Sequence, residues 1–458
     1  MAIRTRQRIA IIGAGPCGLA CARELERLGQ HDWRIFEAGS EVGGLARSVV
    51  DPAGFTWDLG GHVVFSHYGE FDALLAEVMG DEVAHHDRSS YVRVGESWVP
   101  YPFQNNLRHL PEAARRECLE GLARAAGGDP NMTFAAWMEA VFGAGITRLF
   151  MAPYNTKVWA TDPARMQSRW IGERVSVIDY ARAAAAVAAG EDDLGWGPNS
   201  HFVFPRQGGT GEIYRRMAAP LAERIDTDCR VVGVDPLQRR LTLADGSEHA
   251  YEVCVSTMPL DRLVASITDV PPEIAAAADL LVHNSVVMVG VGLAQPLRDP
   301  RSWMYFPEPE VPFYRVTNFA KYAAAHVPGA DTSRYSAFMT ESASSETHPL
   351  ERAGLAERVI AGLRTVGLAA PGAEVVSVHV EEIPYAYPVP TLGRDGALAR
   401  LEPWLAARDV FSRGRFGTWR YELGNMDHAV KMGIDVARRI VRDEPELALA
   451  AGAVAAIG

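Results

Sequence analysis

The sequence predicts an α/β fold in which a discontinuous nucleotide-binding domain carries an inserted helical domain and a mixed β-sheet domain. Three observations predict it. A strand, glycine loop, helix and strand open the chain in "RIAIIGAGPCGLACARELERLG" and "WRIFEA". Between about 106 and 190 the texture turns to Ala, Arg, Met and Leu with few β-branched runs, which reads as a cluster of helices. From about 281 to 390 short apolar runs alternate with Pro and Gly, which reads as a mixed sheet. At 458 residues the chain has room for two or three such units around a large core.

Ile9, Ile11 and Ile12 form a continuous apolar run, the mark of a strand buried on both faces. Gly13-x-Gly15-x-x-Gly18 follows it and opens a helix, and Glu37 closes the next strand nineteen residues after Gly18. The glycines permit a tight turn and the approach of a pyrophosphate to the helix N-terminus, while the acid accepts hydrogen bonds from a ribose. A Rossmann-like dinucleotide site is therefore placed at 1–87. Cys17 and Cys21, four apart on that helix, read as small packing residues. Paired glycines in "GSEVGGLARS" (39–48) and "DLGGHVVFSH" (58–67) soon after the acid favour FAD, whose far end meets more backbone than NAD would. "GGTGEIY" (208–214) lacks a third glycine, so no second nucleotide domain is expected.

"AHHDRSS" (84–90) reads as a loop and not as a metal site, because further ligands at suitable spacing are lacking. Short strands return at 228–257, with "ADGS" (244–247) as a hairpin turn. The last sixty residues read as a helix, a strand in "DVFSRGRF", a loop and a final helix, with an Ala-rich helical tail that frays. The remaining nucleotide-domain segments are placed at 205–283 and 391–458. The sheet domain takes 88–105 and 284–390, the helical domain 106–190, and a sheet-domain or mobile loop segment 191–204.

Composition narrows the function classes. A net charge of −12 disfavours nucleic-acid binding, so an anionic ligand must be held by a few placed arginines. Five scattered cysteines without a C-x-x-C pair argue against a disulfide framework or a zinc site and fit a reducing cytoplasm. The N-terminus runs into a strand without a secretory apolar region, and no stretch is long enough to span a membrane.

Longer motifs go beyond a cofactor fold. They are "YPFQNN" (101–106), "LFMAPYNTKVWATDP" (149–163), "WIGERV" (170–175), "WGPNSHFVFPRQGGTG" (196–211), "WMYFPEPEVPFYR" (303–315), "YAYPVPT" (385–391) and "GRFGTWRYELGNMDHAVKMG" (414–433). Together they resemble the UDP-galactopyranose mutase family, its longer eukaryotic-type branch more than the bacterial one, on a glutathione-reductase-type FAD fold. The resemblance implies interconversion of UDP-galactopyranose and UDP-galactofuranose by attack of N5 of reduced FAD on the anomeric carbon, without net redox change. It implies NADPH as reductant and a UDP-hexose as partner, and it leaves a homo-oligomer open.

By the same resemblance, Tyr101, Gln104, Phe150, Tyr154, Asn155 and Trp159 form the uridine side, where rings stack on a base and amides meet its edge. Arg315 and Arg415 clamp the diphosphate as catalytic cations, with Tyr305, Tyr387 and Tyr421 reaching the same phosphates. Arg174 and Asn199 stand near substrate. His62 is assigned to the flavin and to catalysis, and Gly44, Leu45, Gly61, Val231, Gly424, Asn425 and Met426 join the cofactor contacts. The helix begun by Gly424-Asn425-Met426 directs its N-terminus at the anionic reduced flavin.

Two departures keep the sugar open. Met426 stands where the family's longer branch carries Gln, and "EDDLG" (191–195) differs from its mobile loop. The same ring contraction on a pentose or deoxyhexose nucleotide remains an alternative. So do a flavin oxidase or desaturase of this fold and a non-catalytic nucleotide-sugar-binding protein.

Overall fold

The computed structural model describes residues 7–197 and 199–450. Five parallel strands form the nucleotide sheet, in the spatial order Val410–Ser412, Val253–Ser256, Ile9–Ile12, Trp33–Phe36, Ile225–Asp226. They come from three distant parts of the chain, so the domain is discontinuous. Ile9 and Ile11 face one side and pack beneath the helices Pro16–Arg27 and Met426–Arg442. Ala10 and Ile12 face the other side, over the helices Leu260–Ser266, Pro272–Ala278 and Arg394–Ala406. Burial on both faces is why the strand shows no polar alternation.

The second sheet has seven strands, in the order Glu374–Val389, Val282–Ala294, Ser336–Ser344, Arg315–Asn318, Trp303–Tyr305, Ser90–Val94, Ser97–Pro100. All its neighbours are antiparallel except Trp303–Tyr305 with Ser90–Val94, so the sheet is mixed. The helix Leu355–Thr365 covers one face. The other face packs on the helical segment, where Glu112–Ala123, Phe134–Ile146, Ala152–Trp159 and Tyr180–Ala189 lie. Thr133 caps the second of these by accepting from the Ala136 N–H, and Asp179 caps the fourth by accepting from the Arg182 N–H. A π-helical turn at Thr147–Met151 leads into Ala152–Trp159, whose side chains reach the site.

The hairpin at 244–247 is present between Arg240–Leu243 and Glu248–Ala250. Two readings need correction. "AHHD" is not a loop: Val83–Asp87 is a strand paired antiparallel with His201–Pro205, its partner lying 114 residues away in the register Asp87↔His201. The strand expected in "DVFSRGRF" is only Val410–Ser412, because Gly414, at φ +85°, turns the chain out of the sheet. The Ala-rich tail is helical from 447 to 450, and the fraying expected at 451–458 lies outside the described residues. No helix of the described residues is long and apolar enough to cross a membrane.

Candidate active site

A cavity of about 1190 Å³ opens beyond the carboxyl ends of Ile9–Ile12 and Trp33–Phe36, between the seven-stranded sheet and the helical segment. This is where ligands bind in open α/β sheets. Every residue assigned above to a cofactor or substrate lines it, except Gly18. A Cβ on Gly18 would lie 2.0 Å from the Gly13 carbonyl oxygen, so this glycine lets the helix close on the turn and touches nothing in the cavity.

At one end stands the glycine loop. Gly13 has φ +99°, and a Cβ there would lie 2.3 Å from Thr257 Oγ1. Gly15 precedes the helix Pro16–Arg27 and has no side chain to cap it, so the first-turn N–H groups stay open to the cavity. A Cβ on Gly44 would lie 3.2 Å from Gly15 Cα, so two bare backbones form one wall beside Leu45. Glu37 accepts from the Ala14 N–H at 2.7 Å and the Gly39 N–H at 2.8 Å, which fixes its carboxylate at the end of the second strand. Val231 lines the same end.

Farther in, Asn425 precedes the helix Met426–Arg442 without capping it, and its Nδ2 is buried with no partner. An uncapped helix start and an orphaned amide donor call for an acceptor-rich ligand. His62 Nδ1 is likewise buried without a hydrogen bond, 3.9 Å from Asp58 Oδ2. Burial holds the imidazole down to about 4, Glu341 opposing and Arg315 and Arg415 assisting, so it is neutral near pH 7. Burial also pushes the Asp58 carboxyl up to about 7, against hydrogen bonds from Ser48 and Thr210. Open N–H groups, a ribose-placed acid and these inner donors fit FAD along the whole groove.

The two arginines expected to clamp a diphosphate differ. Arg315 donates from Nε and Nη2 to Glu341 at 2.8 and 2.7 Å, and Glu341 also accepts from the Gly61 N–H and the Tyr314 hydroxyl. Burial alone would lower the Arg315 guanidinium, but Glu341 overrides it and holds it well above its ordinary range. Burial likewise raises Glu341, and Arg315 pulls it below the usual carboxylate range. The pair is neutral as a unit.

Arg415 bonds only backbone carbonyls, those of Ala386 and Gly424, and stacks over Tyr387 at 5.0 Å. Arg174 donates to Asn425 Oδ1 at 2.8 Å and Glu422 O at 2.6 Å. Among the described residues no carboxylate lies within ion-pair distance of either arginine. Burial, with Arg174 adding to it, draws Arg415 below its ordinary range while Tyr387 and Tyr421 oppose. Two cations thus face one cavity with no carboxylate paired to either.

Aromatic rings line the other end. Phe150 and Tyr154 stack at 5.2 Å, Tyr154 meets Tyr305 edge-on at 5.1 Å, and Tyr305 lies 5.3 Å from Tyr101. Trp159 packs edge-on against Tyr421 and Tyr387 at 4.7 and 5.8 Å. Gln104 donates its amide to Ser176 O and leaves Oε1 buried without a partner. Asn155 donates to Met151 O at 2.7 Å. Asn199 accepts from Arg88 at 2.8 Å, and Arg88 also holds the carbonyls of Leu194 and Trp196. Arg88, Asp58, Tyr314 and Glu341 were missed by the sequence reading. Asp58 and Tyr314 lie inside the quoted motifs "DLGGHVVFSH" and "WMYFPEPEVPFYR" without having been singled out, and Glu341 shows as a lone acid inside the apolar strand "SAFMTESAS".

A family model described as flavin containing amine oxidoreductase matches residues 16–441. A solved structure of reduced UDP-galactopyranose mutase superposes with a TM-score of 0.94 at 36% identity, covering 98% of this chain and 99% of that one. The chain belongs to the flavin containing amine oxidoreductases, on their UDP-galactopyranose mutase branch. Other solved structures and curated relatives share less. A putrescine oxidase superposes with a TM-score of 0.66 at 18% identity over 95% of this chain and 99% of its own, a likeness of fold alone. A Mycobacterium tuberculosis protein assigned as the flavin-containing monoamine oxidase AofH is 27% identical over 58% of this chain and 60% of its own. The chain thus spans about 60% of the length of the curated relatives it matches first.

Proposed function

We propose that the protein is a flavin-dependent mutase that interconverts UDP-galactopyranose and UDP-galactofuranose, with FAD held reduced and no net redox change. One observation carries the reading: Arg415 and Arg174, neither paired with a carboxylate among the described residues, face the part of the cavity where Tyr387 and Tyr421 stand. An amine or hydrocarbon substrate has no use for such a pair, and a diphosphate does. The 36%-identical structure, a reduced UDP-galactopyranose mutase, supports it. Reduced flavin, when bound, supplies the nucleophile for the anomeric carbon.

The chain's own part is binding, placement and charge. Phe150 and Tyr154 offer ring faces to a uracil, and the unpartnered Gln104 Oε1 offers an acceptor to its N–H. Arg415 holds the diphosphate in both the bonded and departed states, so the leaving group stays in place for its return. Arg315, neutralised by Glu341, contributes geometry and its spare N–H groups more than net charge. The helix start at Met426 favours negative charge on the flavin. Neutral His62 places no competing positive charge there. NADPH is the proposed reductant and the cytoplasm the proposed setting.

The sugar is tested by offering UDP-galactopyranose, UDP-arabinopyranose and UDP-glucose to the dithionite-reduced protein and separating the products. Furanose formation from the galactose compound alone is expected. Furanose from arabinose and not galactose would move the substrate to a pentose. No furanose from any would overturn the mutase reading.

A further inference from the structure

Lys157 belongs to the helix Ala152–Trp159 but not to its cavity face, which presents Tyr154, Asn155, Val158 and Trp159. Its Nζ donates instead to four backbone carbonyl oxygens: Phe306 at 3.0 Å, Glu308 at 2.7 Å, Val311 at 3.0 Å and Phe313 at 2.8 Å. All four belong to the connection between Trp303–Tyr305 and Arg315–Asn318, and among the described residues they have no other hydrogen-bond partner. Phe306, Val311 and Phe313 are buried in the core beneath the helix Leu355–Thr365. Four convergent carbonyls without a cation would be four costly orphan acceptors. They outnumber the three hydrogens of an ammonium and form the kind of oxygen cage that also takes potassium.

The strands joined by this connection end at the cavity with Tyr305 and Arg315, which sit side by side in register. Tyr305 in turn packs on Tyr154, one helical turn before Lys157. We propose that Lys157 is a positioning residue that acts as a tethered monovalent cation. It locks the 306–313 connection onto the base-binding helix and so sets Tyr305 and Arg315 against the nucleotide diphosphate. Burial lowers the amine to about 8, with Glu310 and Glu308 opposing, and the four acceptors favour its charged form. The effect on turnover rests on the function proposed above; the cage itself does not.

The test uses the flavin-loaded full chain and reads hydrogen exchange of the Phe306 and Tyr314 amides, which flank the connection and donate to Tyr314 O and Glu341 O, together with kcat and KM for the UDP-sugar. In choline chloride, Lys157→Ala should exchange those amides about tenfold faster than the parent and raise KM about tenfold, with the flavin spectrum unchanged. Ammonium or potassium chloride at equal ionic strength should restore most of both losses. Lys157→Met, whose side chain fills the space, should exchange fast and gain nothing from either salt. Unchanged protection in Lys157→Ala, or identical behaviour in choline and ammonium, overturns the proposal. If the parent protein shows no turnover, the mutase reading fails, and the exchange data alone still decide for or against Lys157.

Discussion

Arg415 and Arg315 look equivalent in sequence, but the carboxylate beside one of them makes their replacements differ. Removing Arg415 leaves no buried anion behind, so Arg415→Ala should keep its fold and flavin yet lose about 100-fold or more in kcat/KM. Removing Arg315 strands Glu341 in the core, and Arg315→Ala should cost about 3 kcal/mol of stability as well. Urea unfolding and steady-state kinetics separate the two; equal destabilisation of both variants would contradict the distinction. Asp58 makes a pH prediction. Its folded carboxyl titrates at about 7 and an unfolded aspartate near 3.8, so between those values the folded protein keeps a proton that the unfolded chain has released. The stability due to that proton is complete below the lower value and lost as pH rises to about 7. Wild-type urea midpoints should therefore fall relative to those of Asp58→Asn across that window. The depressed His62 has the opposite slope and is present in both proteins. The glycine signature, Glu37 and the aromatic motifs were legible as residue types at fixed spacings. Arg88 and Lys157 were not, because each acts on carbonyls brought close only by folding, and Glu341 showed only as a lone acid in an apolar run.

At the scale of elements, the site depends on two helices, Pro16–Arg27 and Met426–Arg442, whose N-termini reach the same cavity. They cross closely through small residues: a Cβ on Gly433 would lie 2.2 Å from the Cys17 carbonyl oxygen and 2.9 Å from the Ala20 Cβ. This contact explains Cys17 and Cys21 as packing residues, buried and without a redox partner among the described residues. Gly433→Ala should lower stability by about 2 kcal/mol or more and weaken flavin retention, seen by thermal unfolding and the flavin-to-protein absorbance ratio. An unchanged melting temperature would show that the helices part without cost. Both helices were legible from their glycine starts. The strand Val83–Asp87 was not, because its sequence is polar and its pairing partner lies far along the chain. Long-range pairing has no local signature.

For the whole molecule, the architecture was legible because three texture changes along the chain correspond to three kinds of packing. Continuous apolar runs gave the parallel sheet, Ala- and Leu-rich stretches the helices, and Pro-broken runs the mixed sheet. The cavity between these parts joins a dinucleotide loop, an uncompensated arginine pair and an aromatic end, which together favour flavin and nucleotide sugar in one chamber. The most direct measurement is conversion of UDP-galactofuranose to UDP-galactopyranose by the flavin-loaded protein, followed by chromatography with and without dithionite. Conversion only in the reduced sample, at unchanged flavin oxidation state, is the expected result. Conversion by the oxidised protein, or none by a protein that holds reduced FAD and binds UDP, would contradict it.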